Sequence, residues 1–349
     1  MRKLLTALLV VVVVLAFCVS SGEAAAKKWR IALSNDYAGN SWRQTMIKNF
    51  DEVAKIALEK GLIEEAKVFT TNESSAAEQA AQLQNLILEG YDAILITAAS
   101  PTALNAAVKT ATDAGIVVVA FDNVVTEESS YRLITDFYYD GTAQTEFVAK
   151  RFPNGANLLE IRGLSGTYVD ETIHKGIHDT IVKYPNLKIL GEVYGNWTSS
   201  VAQKEVAGIL PSLPEIHAVV TQGGDGYGAL KAFEAAERPI PMIIMGNRYD
   251  ELEAWKEMLD KNPAYDTMSI TVPPSVVQSA FWIALEVLNG KEVPMSINVP
   301  PLSIFKEDLD NFLAVTEKGG VATIYYPQEW VQLLIENAKA GKPAPADPK

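Results

Sequence analysis

The run Val117–Phe121 is wholly apolar, and Asp122 and Asn123 follow it at once. The same pattern recurs along the chain. Trp29–Leu33 leads into Asn35, Asp36, Asn40 and Trp42, and Lys188–Tyr194 into Asn196 and Trp197. Ala218–Thr221 leads into Gln222-Gly223-Gly224-Asp225, and Met242–Met245 into Gly246-Asn247-Arg248. Carboxylates and carboxamides can each bond two adjacent hydroxyls, and an indole face packs on the C–H face of a sugar ring. The set is rich in Asp, Asn, Gln and Trp and poor in His and Lys, which suits a neutral polyhydroxylated ligand. Taken singly, each residue is equally well explained as a turn or N-cap residue of a βα loop. It is the set as a whole that indicates binding.

These residues must be carried by the strands they follow. Most of the apolar runs lack polar alternation, as strands covered on both faces do. Further runs lie at Val68–Thr70, Ala93–Thr97, Tyr131–Ile134, Leu158–Arg162 and Met268–Thr271. Between them are helical patterns: Ser41–Lys60, with Met46, Ile47, Phe50, Val53, Ala54 and Ala57 on one face, and Ala76–Glu89. Ser100-Pro101 reads as a helix start and Gly115 as its end. Ser275–Leu288 and Tyr326–Ala340 read as late helices flanking an extended segment, Ile297–Phe305. The alternation predicts an α/β fold of two doubly wound parallel sheets, with a break near Thr135-Asp136. In such sheets ligands bind beyond the carboxyl ends of the strands.

A chain of 349 residues suits two cores better than one. With 48% hydrophobic and 21% charged residues the composition is that of a soluble globular protein. The net charge of −13 argues against nucleic acid as a partner. Met1-Arg2-Lys3, the apolar stretch Leu4–Val19 and Ala24-Ala25-Ala26 read as a secretory signal peptide over residues 1–26. The protein is therefore expected outside the cytoplasm, in the periplasm or its equivalent. Cys18 is the only cysteine, and its lipidation is the second reading of this segment.

Other constellations weigh less. Gly224-Asp225-Gly226-Tyr227-Gly228-Ala229 matches a dinucleotide-binding turn, but the next strand ends in Asn247 rather than an acid. It reads instead as a helix N-terminal turn. His174 and His178 share a helix face, yet the spacing alone supplies no coordination shell, so they are expected as surface or capping residues. No metal and no cofactor is expected. No G-x-S-x-G elbow is present, and no cysteine follows the signal peptide, so no catalysis is expected.

From Trp29 to Phe305 the chain resembles bacterial periplasmic sugar-binding proteins of ABC transporters, the ribose-binding-like type I family. The markers are Asn40-Ser41-Trp42, Ala98-Ala99-Ser100-Pro101, Ala114 to Asp122, Gly163-Leu164-Ser165-Gly166-Thr167, Ala218 to Gln222, Gly228 to Ala232 and Ile243–Asn247. The resemblance implies two lobes joined by three crossovers, near Asp136, Thr271 and Ser296. The first lobe would span 27–135 and 272–295, the second 136–271 and 296–340, and 341–349 would be a flexible tail. By position, Asp122 matches the family's sugar-binding aspartate, Trp42 and Trp197 its two ring-stacking aromatics, and Asp225 a polar loop position. Asn123 and Ile173 stand where arginines are common, Asn247 replaces an aspartate and Thr271 a hinge glutamine. The implied ligand is a neutral sugar or polyol other than ribose, in a pocket with two cations fewer. The implied partners are an ABC permease with its ATPase, reached as a monomer. Presentation of sugar to a chemoreceptor or sensor kinase is the alternative, and a secreted enzyme is the reading from a different class.

Overall fold

A computed structural model describes residues 28–72 and 74–348; the expected signal peptide over 1–26 and Cys18 lie outside the described residues. The first half runs β1 (Trp29–Asn35), α1 (Ser41–Glu59), β2 (Ile63–Thr70), α2 (Ala76–Leu88), β3 (Ala93–Thr97), α3 (Asn105–Asp113), β4 (Val117–Phe121) and β5 (Tyr131–Thr135). The second half runs α4 (Phe137–Arg151), β6 (Ala156–Arg162), α5 (Tyr168–Ile181), β7 (Leu187–Tyr194), α6 (Ser199–Ile209), β8 (Ala218–Val220), α7 (Gly226–Ala235), β9 (Met242–Ile243), α8 (Tyr249–Lys261) and β10 (Ser269–Thr271). The remainder comprises α9 (Val276–Leu288), β11 (Ser296–Val299), β12 (Leu302–Ile304), α10 (Leu309–Val315) and α11 (Gln328–Lys339).

Short polar side chains start several helices. Asn40, Ser75, Asp136 and Thr167 each accept a bond from a backbone N–H of the first turn, satisfying a donor the helix cannot. The helix expected to open at Ser100-Pro101 opens later. Ser100 Oγ does accept from the Ala103 N–H, at 3.2 Å. However, the Pro101 carbonyl bonds the Thr126 N–H at 2.8 Å, while the Asn105 N–H turns to Thr102. Drawing that carbonyl out of the ladder leaves a turn, and regular helix begins at Asn105.

Six parallel strands in the order β11-β5-β4-β3-β1-β2 form the first sheet. Alternation along β1 sends Ile31 and Leu33 toward α1 and α9 and Ala32 toward α2 and α3, so both faces are covered. The second sheet has the order β7-β6-β8-β9. A bridge from Met245 to Ser269 extends it to β10, which pairs antiparallel with β12. Leu158 packs toward α4 and α5, and Leu159 toward α6, α7 and α8. Among the described residues no helix is long and apolar enough to cross a membrane.

The chain passes between the two sheets after β5, after β10 and between β11 and β12. The expected boundary at 295/296 is therefore displaced to Pro300-Pro301. Ser296–Val299 pairs in parallel with Arg132–Thr135 and buries Ile297 and Val299 against the first sheet. A later passage brings α11 back to the first lobe as well, because Trp330, Val331, Leu334 and Ile335 bury their faces against it. The Trp282 indole N–H bonds the Tyr326 carbonyl at 3.1 Å, anchoring this return. The expected flexible tail is also corrected. Trp330 Nε1 donates to the Ala346 carbonyl at 2.8 Å and Asn337 Nδ2 to that of Pro343 at 2.9 Å, so the end folds back on α11.

Helices α4 and α5 approach closely through Gly141 and Gly176. A Cβ on Gly176 would lie 2.3 Å from the Tyr138 carbonyl oxygen and 3.2 Å from the Gly141 Cα. Gly176→Ala is expected to destabilise the protein by about 1–3 kcal/mol, the usual cost of overpacking. Urea titration should show a lower midpoint at unchanged slope. An unchanged midpoint would contradict the close approach.

Candidate functional site

Loops from the carboxyl ends of both sheets converge on a cleft between the lobes that opens to solvent. Of the residues named from the sequence, Asn40, Trp42, Asp122, Asn123, Trp197, Asn247 and Thr271 line it together. Arg43, Val169, Gln222, Gly223, Gly224, Arg248, Val272 and Val321 complete the lining.

The first lobe's wall begins at the start of α1. Asn40 Oδ1 accepts from the Arg43 N–H at 2.9 Å, and the turn so formed sets Trp42 in the cleft. The Trp42 indole N–H donates to the Val272 carbonyl at 2.9 Å, tying the ring to the crossover after β10. Arg43 is buried, with Nη1 2.9 Å from Asp122 Oδ2 and Nη2 3.2 Å from Asp36 Oδ1. Asp122 adopts the left-handed conformation, φ +57°, which Asp tolerates better than most residues. Asn123 Nδ2 reaches Asp122 Oδ2 at 3.3 Å. Burial pushes the Asp122 carboxyl above the ordinary range; Arg43 opposes this and Asp36 adds to it. Burial also acts to lower the Arg43 pKa, but the charges of Asp36 and Asp122 outweigh it and the net shift is upward.

The second wall relies on backbone and on the buried acids Asp170 and Glu251. Asn196 and Trp197 are both left-handed, at φ +54° and +52°. The Trp197 ring lies over Gly163, where a Cβ would sit 2.3 Å from it. Only a residue without a side chain fits there. Arg248 Nη2 donates to the Trp197 carbonyl at 2.8 Å and Nη1 to that of Gly224 at 3.2 Å. Gln222 accepts from the Gly163 N–H at 2.9 Å and donates to Asp170 Oδ1 at 3.0 Å. The buried Glu251 carboxylate accepts from the N–H groups of Gly224, Gly226 and Gly246 at 2.9–3.0 Å, which holds the Gly223-Gly224 turn. Asn247 Oδ1 accepts from the Ser269 hydroxyl, and Asn247 Nδ2 has no partner among the described residues.

Two expectations change. Asp225 does not line the cleft. The positive φ values of Gly223 and Gly224 turn the backbone toward the cavity and carry Asp225 back into the lobe, where it is fully buried against Gly195. Burial raises its pKa well above the carboxylate range, with a contribution from nearby Glu251. Nor is the cleft poor in cations: Arg43 and Arg248 line it, while Ile173 packs in the core. Arg43 had a signal in the sequence: it falls on the buried stripe of α1 with Met46, Phe50 and Val53. Gln222, Gly223, Gly224 and Arg248 stood in the loops already singled out. Val321 follows no strand and carried no signal.

Two covered parallel sheets with a cleft at the carboxyl ends of both define a two-lobed binding protein of the type I class. The chain matches the family model described as periplasmic binding protein domain over residues 31–292, and it belongs to that family. It is 34% identical to an ABC transporter solute binding protein from Thermobispora bispora DSM 43833, whose crystal structure superposes with a TM-score of 0.85 over 92% of this chain and 99% of that one. It is 24% identical to the ribose import binding protein of Bacillus subtilis (strain 168), over 70% of this chain and 81% of the relative. It is 28% identical to the xylitol-binding protein of Mycolicibacterium smegmatis, over 54% of this chain and 55% of the relative.

Arg43→Met would leave Asp36 and Asp122 buried without their cation. The unfolding free energy is expected to fall by about 3–5 kcal/mol near neutral pH. Asp122, already above its unfolded pKa, would rise further, so the native state would bind more protons than the unfolded one. Stability then increases as pH is lowered through that window, and the deficit shrinks. Urea titrations near pH 7 and at about pH 5 read this window; no deficit, or a deficit that grows in acid, would contradict the pairing.

Proposed function

We propose that this protein is an extracytoplasmic solute-binding protein that captures a neutral sugar or polyol between its lobes and delivers it to an ABC permease. The observation that carries the reading is the charge balance of the cleft. Arg43 is set against Asp36 and Asp122, and Arg248 is turned onto two backbone carbonyls. No net charge is left to recruit an ionic ligand, while hydroxyl-bonding groups remain. Asn247 Nδ2 is one such group, a buried donor with no partner among the described residues. Trp42 and Trp197, one on each lobe, are suited to the two faces of a ring. The names of the relatives, ribose import binding protein and xylitol-binding protein, support the same substrate class.

Mechanism follows from the division of the site. A ligand that bonds both walls binds the closed form better than the open one and shifts the equilibrium between them. Residues on the first wall (Asn40, Trp42, Asp122 and Asn123) and on the second (Trp197 and Asn247) would grip opposite sides, with Thr271 at the crossover. The closed surface then docks on the permease. No bond is made or broken in the ligand.

A thermal-shift screen tests the reading. At a ligand concentration about a hundredfold above Kd, binding should add about 2.7 kcal/mol. Sugars and polyols, with D-ribose and xylitol among the probes, are expected to include a stabilising ligand. Stabilisation only by a sugar phosphate or an amino acid would overturn the substrate class. Asp122→Asn keeps the left-handed turn and is expected to stay folded while losing the ligand's stabilising effect; an unaltered shift would place the binding residues elsewhere.

A further inference from the structure

We propose that Glu160, His174, His178 and Glu192 form a second site, on the flank of the second lobe, that binds a divalent transition-metal ion of the zinc type. None of the four lines the cleft. Glu160 on β6 and Glu192 on β7 are register partners across adjacent strands, so both project from one face of the sheet. Helix α5 lies over that face, and His174 and His178, one turn apart, point down at it. His174 Nδ1 lies 2.8 Å from Glu160 Oε1, and His178 Nε2 lies 2.8 Å from Glu160 Oε2. The two rings stand 4.1 Å apart, centre to centre. The histidines are therefore neither free surface groups nor helix caps, but a pair converging on one buried carboxylate.

One ligand atom from each of the four residues lies within 4.8 Å of all the others. A tetrahedral zinc site with bonds of about 2.0–2.2 Å spaces its ligand atoms by about 3.4 Å. Two imidazoles with two carboxylates suit zinc and its neighbours, whereas calcium and magnesium call for all-oxygen sites. The local charge favours a cation as well. Arg162 is already set against Asp170 at 2.7 Å, Glu171 at 2.9 Å and Glu192 at 3.5 Å, before the fully buried Glu160 is counted. Its contact with Glu192 orients that carboxylate, as outer partners of metal ligands do. Entry is open from one side: the His178 and Glu192 side chains are 42% and 36% exposed, while Glu160 anchors the floor.

The ion must displace protons that the imidazoles share with Glu160. Coordination requires neutral imidazoles, so metal affinity declines as pH falls.

Titration of the metal-stripped protein with Zn²⁺ against a chromophoric chelator tests the proposal. Near neutral pH one equivalent of zinc is expected to bind, and at about pH 5, below the ordinary histidine pKa, much more weakly. His178→Ala, which removes a half-exposed side chain, and His174→Ala are each expected to weaken binding by about 100-fold, at least as much as losing an outer partner costs. Cobalt substitution should give the visible absorption of a four-coordinate ion, and the variants should lose it. Failure of the protein to compete with the chelator, or undiminished zinc affinity in the folded His174→Ala/His178→Ala double variant, would overturn the site.

Discussion

A guanidinium buried between two carboxylates organises the first half of the cleft. Removing Arg43 from water costs several kcal/mol unless its charge is met at close range. Asp36 and Asp122 meet it from two directions, at 3.2 and 2.9 Å. The three residues come from the end of β1, the first turn of α1 and the end of β4, so the charge constraint locks three loops into one wall. It also explains why Asp122 stays in the left-handed region, a conformation that costs roughly 1–2 kcal/mol for an ordinary L-residue. Trp42 and Asn123 are chain neighbours of Arg43 and Asp122, and their positions follow from the same triad.

The second lobe reaches a similar end by other means. Its wall is largely backbone, shaped by Gly163 beneath Trp197 and by the positive-φ pair Gly223-Gly224. Glu251 takes the organising role there, gathering three N–H groups from two loops onto one buried carboxylate. Burial raises the Glu251 pKa, opposed by Arg248 and by bonds from the backbone. The lobes meet at the crossovers, where the Trp42–Val272 bond links the first wall to the hinge. Both cations of the cleft are engaged inside the protein, which leaves it polar without a strong net charge.

Much of this was legible in the chain itself. The unbroken apolar runs with polar residues at their carboxyl ends located the strands, the order of elements and most of the cleft lining. Local patterns failed where a distant bond intervened. Thr126 captured the Pro101 carbonyl and delayed α3. Pairing with β5 drew Ser296–Val299 into the first lobe, and the apolar face of α11 returned the chain there. The polar-loop pattern does not single out Arg43, although its place on the α1 stripe marks it as buried. Asp225 turns away from the cleft because the φ angles of two preceding glycines decide which way the next side chain points, and glycine permits either sign.

By itself the sequence determined the alternation of strand and helix, the two-lobed α/β class, and the loops that gather the cleft, because periodicity and turn chemistry are local properties of the chain. Only the tertiary structure decided which charges cancel, which amide remains unpaired, and which carboxylates face His174 and His178. Those outcomes depend on residues far apart in sequence meeting within a few ångströms under burial, where an unmatched charge is costly. Spacing along the chain carries no record of such distances.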